Sequence, residues 1–191
     1  MAAAKHREEI IRAASRLLRK RGYAATGLND ILAESGAPKG SLYHYFPEGK
    51  EQLAEEAIRQ SGAVVTATLE HLRARHGGKA AAVLVEYGRL LAGWMADSGF
   101  RDGCPLATTI LETVPDSPRL TQAARAALAD WARVFADMLA AEGWPPDRAG
   151  SLGGVAIAAI EGSLIQCRVS GDPRPIVDAA AAVAALMAAG P

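Results

Sequence analysis

Four residues, Ser35-Gly36-Ala37-Pro38, constrain this chain most, because they force a run of helix-forming sequence into two pieces. Before them, Leu28, Ile31 and Leu32 make one apolar stripe on a short helix, with Thr26 placed to cap its first amides. After them, Pro38 fits the first turn of another helix, whose orphan amides lose nothing by its missing N–H, and that helix reaches only to about Tyr45. Two helices of about two turns each, joined by a glycine-containing turn, have the dimensions of a helix-turn-helix.

The second of these helices is unusual in what it carries. Aromatic residues are 5% of the chain, yet Tyr43, Tyr45 and Phe46 cluster around His44. On a helical wheel Leu42, Phe46 and, less closely, Tyr45 share one side, while Gly40, Tyr43 and His44 point away from it. A helix serving only a core has no use for Tyr43 and His44 in water. A helix entering a DNA groove does, since a phenol and an imidazole can hydrogen-bond base edges or phosphates. Gly40 lets the backbone approach closely, and Lys39 and Lys50 bracket the surface with positive charge.

Charge is distributed in the same sense. Residues 1–50 hold nine basic side chains against five acidic, a surplus of four positive charges. Formal net charge is zero, so residues 51–191 carry the matching negative surplus. A basic head on an acidic body suits a polyanionic partner, although such a run is more often a solvated helix face.

The rest of the chain reads as helix. Ile10, Ile11, Ala14, Leu17 and Leu18 give an amphipathic helix from about Ala4 to Arg21, closed by Gly22. A longer one runs from about Lys50 to His76, and others are expected near 79–97, 105–113, 118–142, 148–169 and 174–189, punctuated by "DSG", "VPDSP", "GWPP" and "SGDPRP". No alternating strand pattern stands out. The alanine-rich tail is expected to fold on a stripe of Val177, Ala181, Ala184 and Met187.

Several functional classes are disfavoured. The start, "MAAAKHREEI", is charged at once, and Cys104 and Cys167 are two thiols without a C-x-x-C partner, so a reducing cytoplasm is expected. Glu161 and Asp178 break the longest apolar runs below the roughly 20 residues of a membrane span, which predicts a soluble chain with no membrane partner. His71 and His76 are five apart and fall on different helix faces, so no metal site is expected. "GSLGG" and "GGK" lack the strand and the ending of a phosphate loop. No catalytic constellation is present, and neither enzyme activity nor a cofactor is expected.

Residues 5–58, above all "RGYAATGLNDIL" and "SGAPKGSLYHYFPEGKEQL", resemble the DNA-binding head of the TetR (tetracycline-repressor-like) family of transcriptional regulators. "RDGCPLATTILE" together with the "FPEGK" insertion is similar to the LmrA/YxaF branch. The resemblance implies an all-α fold with a three-helix DNA-binding domain at 1–49 and a helical ligand-binding and dimerisation domain at 50–191. It implies a homodimer that reads a palindromic operator, with Lys39, Gly40, Ser41, Tyr43 and His44 at bases or nearby phosphates and Thr26, Tyr45 and Lys50 anchoring the backbone. Gly27 and Pro38 depart from the family, standing where a hydroxyl residue is common.

For the body the resemblance implies a small-molecule pocket. Residue chemistry nominates Tyr87, Trp94, Met95, Phe100, Cys104, Thr108, Glu112, Trp131 and Met138 as its lining, and hence a hydrophobic or aromatic effector. One by one, most of these also suit an ordinary core, and Glu112 suits either a cationic ligand or solvent. The small residues of 148–169 and 174–189 suit a four-helix dimer interface or tight packing within one subunit. The helix at about 50–76 joins head to body, so a ligand is expected to tilt it and shift head spacing. The competing reading is a helical protein-protein adaptor without sequence-selective DNA binding. The residues leave repression and activation equally open.

Overall fold

The computed structural model describes residues 2–191, apart from the side chains of residues 2–5 and 105. Among the described residues the elements are nine α-helices and no strand. They are α1 Ala2–Arg21, α2 Leu28–Ser35, α3 Lys39–Tyr45, α4 Lys50–Arg75, α5 Ala80–Asp97, α6 Pro105–Thr113, α7 Pro118–Ala141, α8 Pro146–Ser170 and α9 Arg174–Ala188. Each helix read from periodicity and Gly/Pro breaks is present, because those breaks are also where the hydrogen-bond ladder stops. Of the nine basic side chains counted at the N-terminal end, Lys5 lies outside the described side chains.

The chain divides into two compact units. The first joins the residues up to Ala63 to Cys104–Ala127, and the second joins Val64–Gly103 to Leu128–Pro191. Helices α4 and α7 each continue from one unit into the other.

In the first unit α1 packs on α2, α3 and α6. Ile10, Ile11, Ala14, Leu17 and Leu18 are buried along one face, as their spacing requires, and meet a core that includes Ile31, Leu42, Phe46, Leu53 and Ile58. Each large side chain buried here contributes about 1.5–3 kcal/mol relative to exposure. α1 stops at Gly22, whose φ of 80° is the left-handed conformation that a side chain disfavours.

In the second unit α5, α8 and α9 pack together. The close approach of α5 and α9 depends on Gly88: a Cβ there would lie 2.6 Å from the Cβ of Ala180. Gly153 of α8 plays the same part against α7, where a Cβ would meet the Ala132 carbonyl oxygen at 2.5 Å. The first amide of α5 has no side-chain cap of its own, and Ala80 N–H donates to the Glu142 carboxylate at 2.8 Å.

Two expectations need correction here. The α9 stripe is Ile176, Ala180, Val183, Ala184 and Met187, all buried, whereas Val177 and Ala181 are exposed. An alanine run is equally apolar at every phase, so the notch at Gly88 and the bulk of Ile176 select the register. α8 is also long and apolar enough to cross a membrane, with a mean hydropathy of 1.3 over its best window, 39% of which is buried in the protein. Glu161 does not keep it below that limit, because alanines, isoleucines and valines surround it.

Candidate nucleic-acid interface

The site begins with the turns that aim two short helices. α2 is capped at Gly27, not at Thr26, and Gly27 N–H donates to the Asp30 carboxylate at 3.2 Å. Thr26 is wholly buried, its hydroxyl donating to the Gly22 carbonyl at 2.7 Å. The expected cap is thus a lock on the α1–α2 turn, which draws Thr26 away from the surface where a phosphate would lie. α2 ends at Gly36, whose φ of 66° lets its N–H return to the Leu32 carbonyl at 3.1 Å. Ser35 tightens the corner by donating to the Leu32 carbonyl and accepting from Ala37 N–H. Pro38 is the residue before the first turn of α3, one place earlier than expected, and α3 has no side-chain cap.

α3 sorts its side chains as the wheel predicts. Leu42 and the following Phe46 are fully buried, pinning the helix to the first unit's core, and Ser41 and Tyr45 are half-buried. Lys39, Gly40, Tyr43 and His44 are exposed, Tyr43 by 64%. The rings form a chain from inside to outside: Phe46 meets Tyr45 edge-on at 6.5 Å between centroids, and Tyr45 meets His44 at 4.8 Å. The buried end therefore fixes the exposed end. A Cβ at Gly40 would meet nothing within 4 Å, so the backbone there is open to close approach.

Lys50 is half-buried, with its ammonium 4.2 Å from the Tyr23 ring centroid, a cation–π contact. Burial holds that ammonium below the usual lysine range, and the Glu112 carboxylate opposes the shift. Burial, with Glu51 adding to it, raises the Tyr23 phenol. Arg16 and Arg21 pair with Glu34 and Asp30 of α2 at 3.0 and 3.8 Å, bracing α1 against α2 at exposed sites.

The nine residues nominated for an effector pocket do not fall in one unit. Tyr87, Trp94, Met95, Phe100, Trp131 and Met138 belong to the second, and Cys104, Thr108 and Glu112 to the first. Tyr87, Met95, Trp131 and Met138 are buried, Phe100 and Cys104 are half-buried, and Trp94 is 46% exposed. Thr108 and Glu112 use their oxygens on the head's backbone: Thr108 donates to the Leu18 carbonyl, and Glu112 accepts from the N–H groups of Tyr23 and Ala24. Glu112 is exposed, as the solvent reading has it, but its carboxylate also holds two backbone amides, a contact that neither choice offered by the sequence includes. Only its separation of nearly ninety residues from the turn hides it from sequence reading.

Known proteins share these patterns. Residues 10–57 match the model for bacterial regulatory proteins of the tetR family, and residues 80–182 match that for the C-terminal domain of LmrA/YxaF-like transcriptional regulators. The chain is 33% identical over 171 residues to the HTH-type transcriptional regulator LmrA of Bacillus subtilis, covering 90% of both chains. It is 37% identical over 175 residues to an uncharacterized HTH-type transcriptional regulator of Mycobacterium tuberculosis, covering 89% of this chain and 88% of the other. Its fold is similar to a crystal structure of regulatory protein TetR from Rhodobacter sphaeroides, with a TM-score of 0.79 at 24% identity over 93% of this chain and 96% of that one. It is also similar to a TetR transcriptional regulator from Legionella pneumophila, with a TM-score of 0.81 at 19% identity over 92% and 94% of the two chains.

Proposed function

Because the chain belongs to the TetR family of bacterial transcriptional regulators, with a C-terminal domain of the LmrA/YxaF-like kind, we propose that it is a repressor that binds a palindromic operator as a homodimer and is released by a hydrophobic or aromatic effector. Members of this family regulate transcription and are not enzymes. The observation that carries the reading is α3 itself, where Lys39, Gly40, Tyr43 and His44 stand exposed over a buried Leu42 and Phe46. An adaptor has no need to keep that face open, polar and held from beneath.

The homodimer is supported by the outer face of α8. Ser151, Val155, Ala158, Gly162, Ile165 and Val169 are all exposed, and they recur at alternating spacings of four and three. That is the period of a helix seam that packs against another helix. Val169 is 85% exposed and Ile165 56%, a cost that a second copy of the same surface removes. A surface groove of about 480 Å³, lined in part by Trp144, Ser151, Val155 and Leu186, continues the same face onto α9. The small residues of α8 thus serve both readings: Gly153, Ala156 and Ser163 turn inward, and Gly154, Ala158 and Gly162 turn out. Of the nine residues nominated for an effector pocket, the six that share the second unit, Tyr87, Trp94, Met95, Phe100, Trp131 and Met138, are the lining this reading retains. The regulator works in the cytoplasm, where its DNA is.

Footprinting of the purified protein on DNA from its own upstream region tests this reading. A two-fold symmetric footprint is expected, its half-sites one helical turn, about 34–36 Å, or a multiple apart. Protection without symmetry, or none on any fragment of a genomic library, would remove the operator-binding dimer.

A further inference from the structure

The segment from α6 to the start of α7 grips the DNA-reading head at both of its chain ends. At the entry, the Glu112 carboxylate accepts from Tyr23 N–H at 2.9 Å and from Ala24 N–H at 2.6 Å. These two amides lie just past the end of α1, beyond the reach of its ladder. Thr108, one turn earlier on α6, donates to the Leu18 carbonyl at 3.0 Å. Gly22 leaves room for the clasp, since a Cβ at that position would lie 1.9 Å from Glu112 Oε1. At the exit, Ser117 donates to the Glu51 carboxylate, and Arg119 pairs with Glu48 and, through Nε at 3.2 Å, with Glu55. α2 and α3 lie between these two grips in the chain.

We propose that Glu112, Ser117 and Arg119 are positioning residues for DNA recognition: a brace from the effector-domain sequence that holds the α1–α2 and α3–α4 turns and so sets the pose of α3. The proposal rests on the reading of α3 as the operator-reading helix. Every contact of the brace is polar and lies outside the apolar core, so it can be broken without a cavity. Its effect differs in sign from plain electrostatics. Removing the Glu112 carboxylate makes the head more positive, which by charge alone strengthens binding to any DNA. Loss of the clasp instead lets the turn move and weakens selective binding.

The test compares wild type, Glu112→Ala and Glu112→Gln in the full chain for affinity on upstream-region DNA and on scrambled DNA, melting temperature, and amide hydrogen exchange at Tyr23 and Ala24 without DNA. For Glu112→Ala we expect selective affinity to fall by roughly tenfold or more, with affinity for scrambled DNA unchanged or raised. Exchange at the two amides should quicken while the melting temperature stays near that of wild type. Glu112→Gln keeps one acceptor oxygen and should fall between. Selective affinity equal to wild type in Glu112→Ala would overturn the proposal, whether or not amide exchange quickens. If Glu112→Ala does not fold, Glu112→Gln decides: reduced selectivity at an unchanged melting temperature supports the brace, and unchanged selectivity overturns it. A wild-type protein that ignores sequence would defeat the operator reading itself, while exchange at Tyr23 and Ala24 would still show whether Glu112 holds the turn.

Discussion

Two adjacent residues of α3 stand on different faces of the helix proposed to read DNA. Leu42 is fully buried and Tyr43 is 64% exposed, although they are neighbours in the chain. Replacing Tyr43 by Ala removes a phenol from the reading face and nothing from the core. Selective DNA affinity should drop by roughly ten- to a hundredfold, the loss of a good base or phosphate contact, with melting temperature unchanged. Replacing Leu42 by Ala should instead cost about 2–5 kcal/mol of stability, measured by denaturant unfolding. If Tyr43→Ala melts like Leu42→Ala, the phenol belongs to the core and the assignment of faces is wrong. Sequence alone yields this division because a wheel needs only local spacing. It misses the role of Thr26, whose hydroxyl turns back four residues to the Gly22 carbonyl once the turn forms, and that of Glu112, whose partners are nearly ninety residues away in the chain.

At the level of elements, small residues are of two kinds, and a pair in α5 separates them. Gly88 sits where a Cβ would press on Ala180 at 2.6 Å, and Gly93 sits where a Cβ would meet nothing within 4 Å. Gly88→Ala should destabilise the protein by about 1–3 kcal/mol through overpacking of α5 on α9. Gly93→Ala should stabilise it by up to about 1 kcal/mol, since alanine is the better helix former. Thermal melts of the two variants should move in opposite directions; shifts of the same sign would contradict the packing described for α9. The position of each helix is legible in the sequence, because Gly and Pro mark the ends and periodicity fills the middle. The register of α9 is not, because thirteen residues of nearly uniform alanine-rich sequence, Asp178–Gly190, have no preferred face until a notch on another helix selects one.

For the whole molecule, recognition and assembly depend on each other. On the proposed reading one α3 contacts one half-site, and selectivity against a genome needs two, joined at a fixed spacing. The exposed seam of α8 is the candidate join, and Ile165→Arg places a charge on it, near the C-terminal end of the helix. The measurement that tests the central claim most directly is fluorescence anisotropy of the purified protein on DNA from its own upstream region, against scrambled DNA of equal length, at low and at physiological salt. Ile165→Arg, with its mass checked by ultracentrifugation, serves as the monomeric control. The account predicts selective binding that survives physiological salt in the wild type and is lost with the dimer in the variant. Equal binding to both DNAs, erased by salt, would mean that the exposed face of α3 attracts phosphate without reading bases, and would contradict the account.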